Sequence, residues 1–394
     1  MLIVSGLALA IQVLLALVTL SGLAYMLLAL WGARDFVHSL RRVSSEPDFA
    51  PDVSILKPVK GVDPRMYSGL RSHCEQQYSG SFEILFGVSA LDDPAVAEIE
   101  RLRAEYPAID IRIVECSERL GTSGKVSNLV QMLRSSQYEH IVINDSDIHV
   151  SPLYLQRVLR LFRDTKVGLV TAPYLGITAT RGAGLTVWAK LEALGISTDF
   201  LPGVLTARKL EGGIHFGLGS TLATTKAALE KIGGLEPLAD YLADDYELGR
   251  RISQDGYRVE LCGETVETTV PAYGFRGFWD HQLRWARSMR DSRELGYVGL
   301  GVTYCLPWAM MTILASGFAL WSFTLFSIVL LARIAVALTV GVGVLRDGQV
   351  LRDLWLLPLR DCMGLLVWLW SFAGETVVWR GEIFRLKNGK LSRV

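Results

Sequence analysis

The stretch Leu7–Trp31 is almost wholly apolar and carries no charged residue. Roughly 20 helical residues cover the hydrocarbon core of a bilayer, so this segment is long enough to cross one. A cleaved secretory signal is the competing reading. No Lys or Arg precedes the run, and the run is longer than the apolar part of such signals. Arg34, Arg41 and Arg42 come directly after it, and basic residues collect on the cytoplasmic side of a membrane. Residues 1–33 therefore read as an N-terminal transmembrane anchor, and the segment beyond Arg34 as cytoplasmic.

A second apolar block runs from Val302 to Leu345, broken only by Arg333. It is too long for one crossing, and two helices parting near Ser322 are expected. A third block, Leu354–Trp379, contains Asp361 and Glu375. Together, 301–380 read as C-terminal membrane helices and 381–394 as a basic tail. Four crossings would leave the C-terminus outside, whereas Arg380, Arg385, Lys387, Lys390 and Arg393 argue that it lies inside. One block lying in the interface would remove the conflict, so the number stands at three or four. Half of all residues are hydrophobic and the mean hydropathy is +0.31, as an integral membrane protein requires. Arg outnumbers Lys 30 to 10, which fits a GC-rich bacterial genome and hence a bacterial inner membrane.

The formal net charge is zero, so no nucleic-acid partner is indicated. Five scattered cysteines without a CxxC pair suggest neither a zinc site nor a disulfide framework.

Between residues 50 and 300 the pattern changes. Short apolar runs at Val53–Leu56, Glu83–Val88, Ile111–Val114, His140–Ile143 and Val167–Thr171 read as strands. Residues 94–106, 126–133 and 152–163 have helical spacing. Strands alternating with helices imply an α/β domain with a mostly parallel sheet and helices on both faces. Ligands of such sheets bind beyond the carboxyl ends of the strands, which selects the loops to search.

Four acidic or basic points stand out. In Ile141-Val-Ile-Asn-Asp-Ser-Asp147 an apolar strand runs into Asp145 and Asp147. If the chain stays extended there, both carboxylates point to one face. Their repulsion calls for a cation, and Mg2+ or Mn2+ takes oxygen ligands while keeping substrate phosphates in its shell. Asp92 and Asp93 come just after the second strand. One is expected to cap the helix beginning at Pro94, leaving the other to reach a base or ribose. Asp244 and Asp245 open a helix before Leu248 and Ile252, where they can cap it or act as a general base. Finally, His281-Gln282-Leu283-Arg284-Trp285 precedes the membrane block. Arg284 can bridge diphosphate oxygens and Trp285 can wall off an acceptor. Arg287 and Arg290 fit equally well as lipid-headgroup contacts. Lys57, Lys60 and Lys125 are further candidate phosphate contacts or simply solvated lysines. The run Gly121–Lys125 fails the spacing of a phosphate loop, and Gly212-Gly213 and Gly217-x-Gly219 suggest tight turns rather than a dinucleotide fingerprint.

In order along the chain, these points resemble the D, DxD, D, (Q/R)xxRW pattern of glycosyltransferase-A folds. More narrowly they resemble the ceramide glucosyltransferase family, glycosyltransferase family 21. The residues carrying the likeness are Ser54–Pro64, Asp92–Ala95, Lys125–Leu129, Asp145–Asp147, Ala243–Tyr246 and Arg284-Trp285. Within the family, Val126–Leu133, Asp199–Pro202 and His281–Arg287 look like a bacterial hopanoid-associated branch. The resemblance implies a UDP-sugar donor, a divalent cation, a lipid alcohol acceptor (ceramide or hopanoid polyol), and a domain at the cytoplasmic face of the bilayer. By the same resemblance Asp93 or Asp92 contacts the nucleotide, Lys125, His281 and Gln282 lie on the donor side, and Asp145 and Asp147 hold the metal. Asp245 is the base with Asp244 beside it, and Arg284 and Trp285 stand at the diphosphate and acceptor. His281 departs from the pattern, which has Gln or Arg there. The competing readings are a processive polysaccharide synthase of the same fold and a non-catalytic membrane scaffold.

Overall fold

The strand–helix alternation builds a seven-stranded sheet in the computed structural model, which describes residues 2–43, 49–179, 185–379 and 381–393. Arg380 lies outside the described residues, as does the side chain of Arg42. The chain divides into two units: Leu40–Leu185, Glu211–Ala272 and Glu382–Val394 form a sheet unit, and Met1–Ser39, Thr186–Leu210 and Tyr273–Gly381 a helical unit.

The sheet unit contains β1 (Val53–Pro58), β2 (Phe82–Val88), β3 (Asp110–Glu115), β4 (His140–Ile143), β5 (Val167–Thr171), β6 (Tyr174–Thr178), β7 (Leu222–Thr225), β8 (Arg258–Leu261) and β9 (Val266–Val270). The spatial order is β3-β2-β1-β4-β7-β5-β8, with β6 and β9 paired apart. β3, β2, β1 and β4 run parallel, whereas β7 is antiparallel to both β4 and β5. Val53, Ile55, Leu56, Ile84, Leu85, Phe86, Ile141 and Val142 are fully buried, as continuous apolar strands are when helices cover both faces. Burying each such side chain contributes roughly 1.5–3 kcal/mol. The five expected strands are all present. The helix expected over 152–163 is a short α-turn, Tyr154–Leu159, tightening into a 3₁₀ segment, Arg160–Arg163.

Residues 382–393, expected from the sequence to be a basic tail, fold into an antiparallel hairpin with Lys387 opposite Lys390 and Leu386 opposite Leu391. Its turn residues Asn388 and Gly389 have φ of 51° and 76°. Two successive positive φ values match the right-handed twist of a hairpin, and Asn-Gly is the pair that tolerates them best. Phe384, Leu386 and Leu391 are buried.

A 42-residue helix spans Leu2–Val43, its residues up to Ser39 belonging to the helical unit. Three helices are long and apolar enough to cross a membrane, namely Gly6–Arg41, Leu320–Val344 and Gly348–Ser371. A fourth candidate is the pair Glu294–Thr303 and Cys305–Ala315, bent by 56°. Gly22 packs against Cys305 so closely that a Cβ there would lie 2.4 Å from its Sγ. Thr19 Oγ1 meets Thr312 Oγ1 at 3.2 Å. These two contacts set the N-terminal helix antiparallel to Cys305–Ala315, through the small residues that let membrane helices approach. The break expected near Ser322 falls at 316–319, where Gly317 and Phe318 both have φ of 63°. The third block ends as a helix at Ser371, and Thr376–Trp379 is a strand.

Candidate active site

The site of the sheet unit lies beyond the carboxyl ends of β1, β2 and β4. Asn144 follows β4 and donates its amide to Ser220 O (2.7 Å) and Tyr154 Oη (2.9 Å). The chain then turns at Ser146–Asp147 instead of remaining extended, so the one-face argument for the two carboxylates does not hold. Different neighbours fix them. Asp145 Oδ1 lies 2.9 Å from Lys125 Nζ. Asp147 Oδ2 accepts from Thr268 Oγ1 (2.6 Å) and Thr269 N (3.1 Å). Burial and then the charge of Asp145 raise the Asp147 pKa, against the bonds from Thr268 and Thr269.

Lys57, at the end of β1, is fully buried and so is no solvated lysine. Its Nζ donates to the backbone oxygen of Asp145 (3.0 Å) and lies 3.4 Å from His73 Nε2. His73 Nδ1 is 2.9 Å from Gly69 O; a carbonyl can only accept, so Nδ1 carries the proton and Nε2 is the acceptor for Lys57. Burial pulls the Lys57 pKa down to about 7, while Asp147 and Asp145 oppose the fall. The Lys57 amine thus sits beneath the Asp145–Asp147 turn.

Lys125 sits in the first turn of the helix Gly124–Ser135, capped by Ser123 Oγ, which accepts from Val126 N. Its ammonium joins two of the expected points, 2.9 Å from Asp145 and 3.2 Å from Asp244 Oδ2. Burial alone would lower its pKa, but Asp145, Asp244 and Asp245 together raise it above the ordinary lysine value. Asp244 and Asp245 open the helix Asp244–Gln254, whose cap position, Ala243, offers no side-chain bond. Burial, then the Asp244 charge, pushes Asp245 up to about 6, opposed by Lys125. Burial likewise raises Asp244, and Lys125 opposes it.

Gly219 explains one of the glycine pairs. A Cβ there would stand 3.0 Å from Asp245 Oδ2, so the missing side chain leaves room for that carboxylate. Gly217 N donates to Asp245 O at 3.2 Å. At the β2 end, Asp93 is the capping residue: Oδ1 accepts from Ala95 N and from Gly61 N, both at 2.9 Å. Asp92 is exposed. The structure therefore brings together Lys125, Asp145, Asp244 and Asp245, with Asp147 close enough to feel Asp145; Asp92 and Asp93 stand at a neighbouring strand end.

Among the described residues no group of three or more His, Cys, Asp or Glu side chains is placed to hold a metal. The Asp145 and Asp147 pair fits a divalent cation in a more limited way. One carboxylate is 41% exposed, the other is raised by burial and by its neighbour's negative charge, and both supply hard oxygen. Phosphate oxygens and water would have to complete such a shell.

In the helical unit, the helix Phe275–Ser292 carries His281, Gln282, Arg284 and Trp285. His281 Nδ1 lies 3.0 Å from the buried Glu192 carboxylate, and its ring is 4.7 Å from that of Trp285. Gln282 donates to Glu192 (3.2 Å) and accepts from Arg360 Nη1 (3.0 Å). Arg360 Nε reaches Asp199 Oδ2 at 2.7 Å. Asp199 also pairs with Arg333, which binds Asp361 at 2.9 Å and Thr198 O at 2.9 Å. A continuous polar chain thus links Arg333, inside an apolar helix, to His281. Arg287 and Arg290 bond to carbonyl oxygens of Ala373, Thr376, Ser371 and Gly374. They cap the end of the last helix, as Arg does near a helix C-terminus, where headgroup contact was the alternative.

Reading the sequence missed Thr268, the buried seat of Lys57 and the hairpin. Only the hairpin had a local signal, Asn388-Gly389.

The sheet and its strand-end carboxylates define a glycosyltransferase-A type fold. A mannosyltransferase, PcManGT from Pyrobaculum calidifontis in complex with GDP-Man and Mn2+, matches with a TM-score of 0.51 at 18% identity, over 92% of this chain and 99% of that one. The model of glycosyl transferase family 21 matches residues 14–392, and the chain belongs to that family. Ceramide glucosyltransferase 3 of Caenorhabditis elegans is 27% identical over 252 residues, which are 64% of this chain and 53% of that protein. The ceramide glucosyltransferase of Komagataella phaffii is 33% identical over 123 residues, 30% and 24% of the two chains. The chain spans about half the length, or less, of these curated relatives.

Proposed function

We propose that this protein is an inverting glycosyltransferase that moves glucose or N-acetylglucosamine from a UDP-sugar to a lipid alcohol, a ceramide or a hopanoid polyol. The observation that carries the proposal is the convergence of Asp145, Lys125, Asp244 and Asp245 at the carboxyl ends of the strands. The acceptor hydroxyl attacks the anomeric carbon from the face opposite the diphosphate, forming the new glycosidic bond as the sugar–phosphate bond breaks. Asp245 takes the hydroxyl proton; a carboxylate raised to about 6 is ionised at neutral pH yet basic enough to share that proton in the transition state. Asp145 and Asp147 would hold Mg2+ or Mn2+, which when bound neutralises charge on the departing diphosphate. Lys125 holds the Asp145 and Asp244 carboxylates, and its ammonium lies where diphosphate oxygens would compete for it. The sequence pattern assigns Arg284 and Trp285 to the diphosphate and the acceptor. Asp92, with its exposed side chain, is the better candidate for nucleotide contact, since Asp93 is engaged by Gly61 and Ala95.

The protein is membrane-associated through its apolar helices. Both ends of the segment Tyr273–Gly381 join the sheet unit, which favours an even number of crossings between them and three in all. The bent pair Glu294–Thr303 and Cys305–Ala315 is then one crossing, its second half antiparallel to the N-terminal helix, and Leu320–Val344 returns. Gly348–Ser371, with buried Arg360 and Asp361, is then the helix that does not cross. The positive-inside rule puts the sheet unit and the C-terminus in the cytoplasm.

The test is expression in a host with neither glycolipid. Ceramides and hopanoid polyols are offered separately with UDP-glucose and UDP-N-acetylglucosamine, and the lipid extract is read by mass spectrometry. One sugar is expected on one acceptor class, and none with Asp245→Asn. A long polymer would favour a synthase, and no product with any pair would sink the proposal.

A further inference from the structure

One edge of the C-terminal hairpin is paired with another segment of the sheet unit. Leu391 N donates to Asp240 O at 2.7 Å, and Leu242 N donates to Gly389 O at 3.1 Å. Tyr241 and Lys390 form an antiparallel bridge, and Lys390 Nζ lies 5.3 Å from the centre of the Tyr241 ring. Segment 240–242 is therefore captured along the free edge of the hairpin, one residue before the cap position of the Asp244–Gln254 helix. That helix start has no side-chain cap of its own, so its placement depends on what precedes it.

The same place receives a third segment. Ser123 N donates to Ala239 O at 2.8 Å, and Thr122 N donates to Asp240 Oδ1 at 2.9 Å. Thr122 Oγ1 lies 2.9 Å from Asp240 Oδ1 and 3.3 Å from Leu391 O, one proton shared between two acceptors. Gly121 packs on Ala239 so tightly that a Cβ would fall 2.5 Å from the Ala239 Cβ. Thr122 stands three residues before Lys125, and Asp240 four before Asp244. The Lys125–Asp244 ion pair at 3.2 Å is thus closed from behind by backbone bonds that include the last strand of the chain.

We propose that the hairpin Glu382–Arg393 is a positioning element of the active site, which sets Lys125 and the Asp244–Asp245 pair against each other through Thr122, Asp240 and Leu391. The inference rests on the reading of Lys125 as a donor-side group and of Asp244 and Asp245 as the catalytic carboxylates. The hairpin touches no substrate, and its effect passes through the two loops it joins. In the hairpin Leu391 faces Leu386 while its N–H points to Asp240, so a proline at 391 removes the bond to the loop and spares the ladder. Thr122→Val keeps the shape of the side chain and removes the shared proton.

The experiment uses the full-length protein in lipid nanodiscs, with turnover normalised to UDP-binding sites so that loss of folded protein is divided out. Leu391→Pro and Thr122→Val should lower kcat on the order of 10- to 100-fold, the scale set by ångström-sized misplacement of reacting groups. Leu391→Ile and Thr122→Ser, which restore the N–H and the hydroxyl, should recover it. Amide exchange over 239–247 should quicken in the first pair and not in the second. Normalised kcat at the wild-type level in both Leu391→Pro and Thr122→Val, with wild-type protein active, would overturn the hairpin role and leave the transferase reading intact. If the wild-type protein transfers no sugar, the transferase reading fails. Exchange and UDP affinity then decide the hairpin: unchanged values in Leu391→Pro would refute it.

Discussion

Replacing Asp245 by Asn should stop transfer and make the protein more stable, but only above a defined pH. The carboxylate is raised to about 6 from an ordinary 3.8, first by burial and then by Asp244. A raised carboxylate binds its proton more tightly in the folded state, so ionising it costs folding energy. Below pH 3.8 both states are protonated and there is no cost. The cost grows between 3.8 and 6 and is complete above 6. At 1.36 kcal/mol per pH unit, the gap amounts to an upper figure of about 3 kcal/mol. Asn has nearly the same shape, can accept the Tyr246 N–H bond that Asp245 Oδ1 accepts at 2.8 Å, and never ionises. Thermal unfolding of wild type and Asp245→Asn, free of nucleotide and with chelator, is the assay. At pH 7.5 the variant should melt several degrees higher, since 1 kcal/mol moves a domain of this size by about 2–4 °C. At pH 4.5 most of the difference should vanish. A variant less stable at pH 7.5, or a gain equal at both values, would show that Asp245 is not held ionised at a cost in the folded protein.

Other changes probe the neighbours. Lys125→Met removes the cation that opposes the rise of Asp244 and Asp245; the acid limb of the pH–rate profile should move to higher pH, and an unmoved limb would show that Lys125 does not set the base. Gly219→Ala places a methyl 3.0 Å from Asp245 Oδ2 and should cut kcat about tenfold or more with little change in melting, read by steady-state kinetics. Arg333→Leu leaves Asp361 and Asp199 without their shared partner and should cost about 3–5 kcal/mol, the usual penalty for breaking a buried pair; denaturation in mild detergent would measure it, and Arg333→Leu combined with Asp361→Asn should recover part of the loss. A reporter after residue 394 should read cytoplasmic, and one at Gly317 external.

Much of the sheet was legible because its strands are buried on both faces, so Ile84-Leu85-Phe86 and Ile141-Val-Ile143 announce themselves as apolar runs. The antiparallel β7 was not, since Leu222-Ala-Thr-Thr225 is short and half polar. The acidic points were visible as charges next to those runs, but their geometry was not. Whether the chain turns at Ser146 depends on Asn144 meeting Ser220, and whether Lys57 is solvated depends on His73; both partners lie far off in sequence. The Asn388-Gly389 turn could have been read, yet where its hairpin docks depends on Asp240 and Leu242, some 150 residues away.

The most direct test of the whole account is UDP binding by the purified protein in nanodiscs, titrated with Mg2+ or Mn2+ and then with chelator, for wild type, Asp147→Asn and Lys125→Met. Binding should need the cation, vanish on chelation, and weaken at least tenfold in Asp147→Asn, about 1.4 kcal/mol. UDP bound equally well with chelator present, or undiminished in Asp147→Asn, would contradict the assignment of these carboxylates to a cation–diphosphate grip.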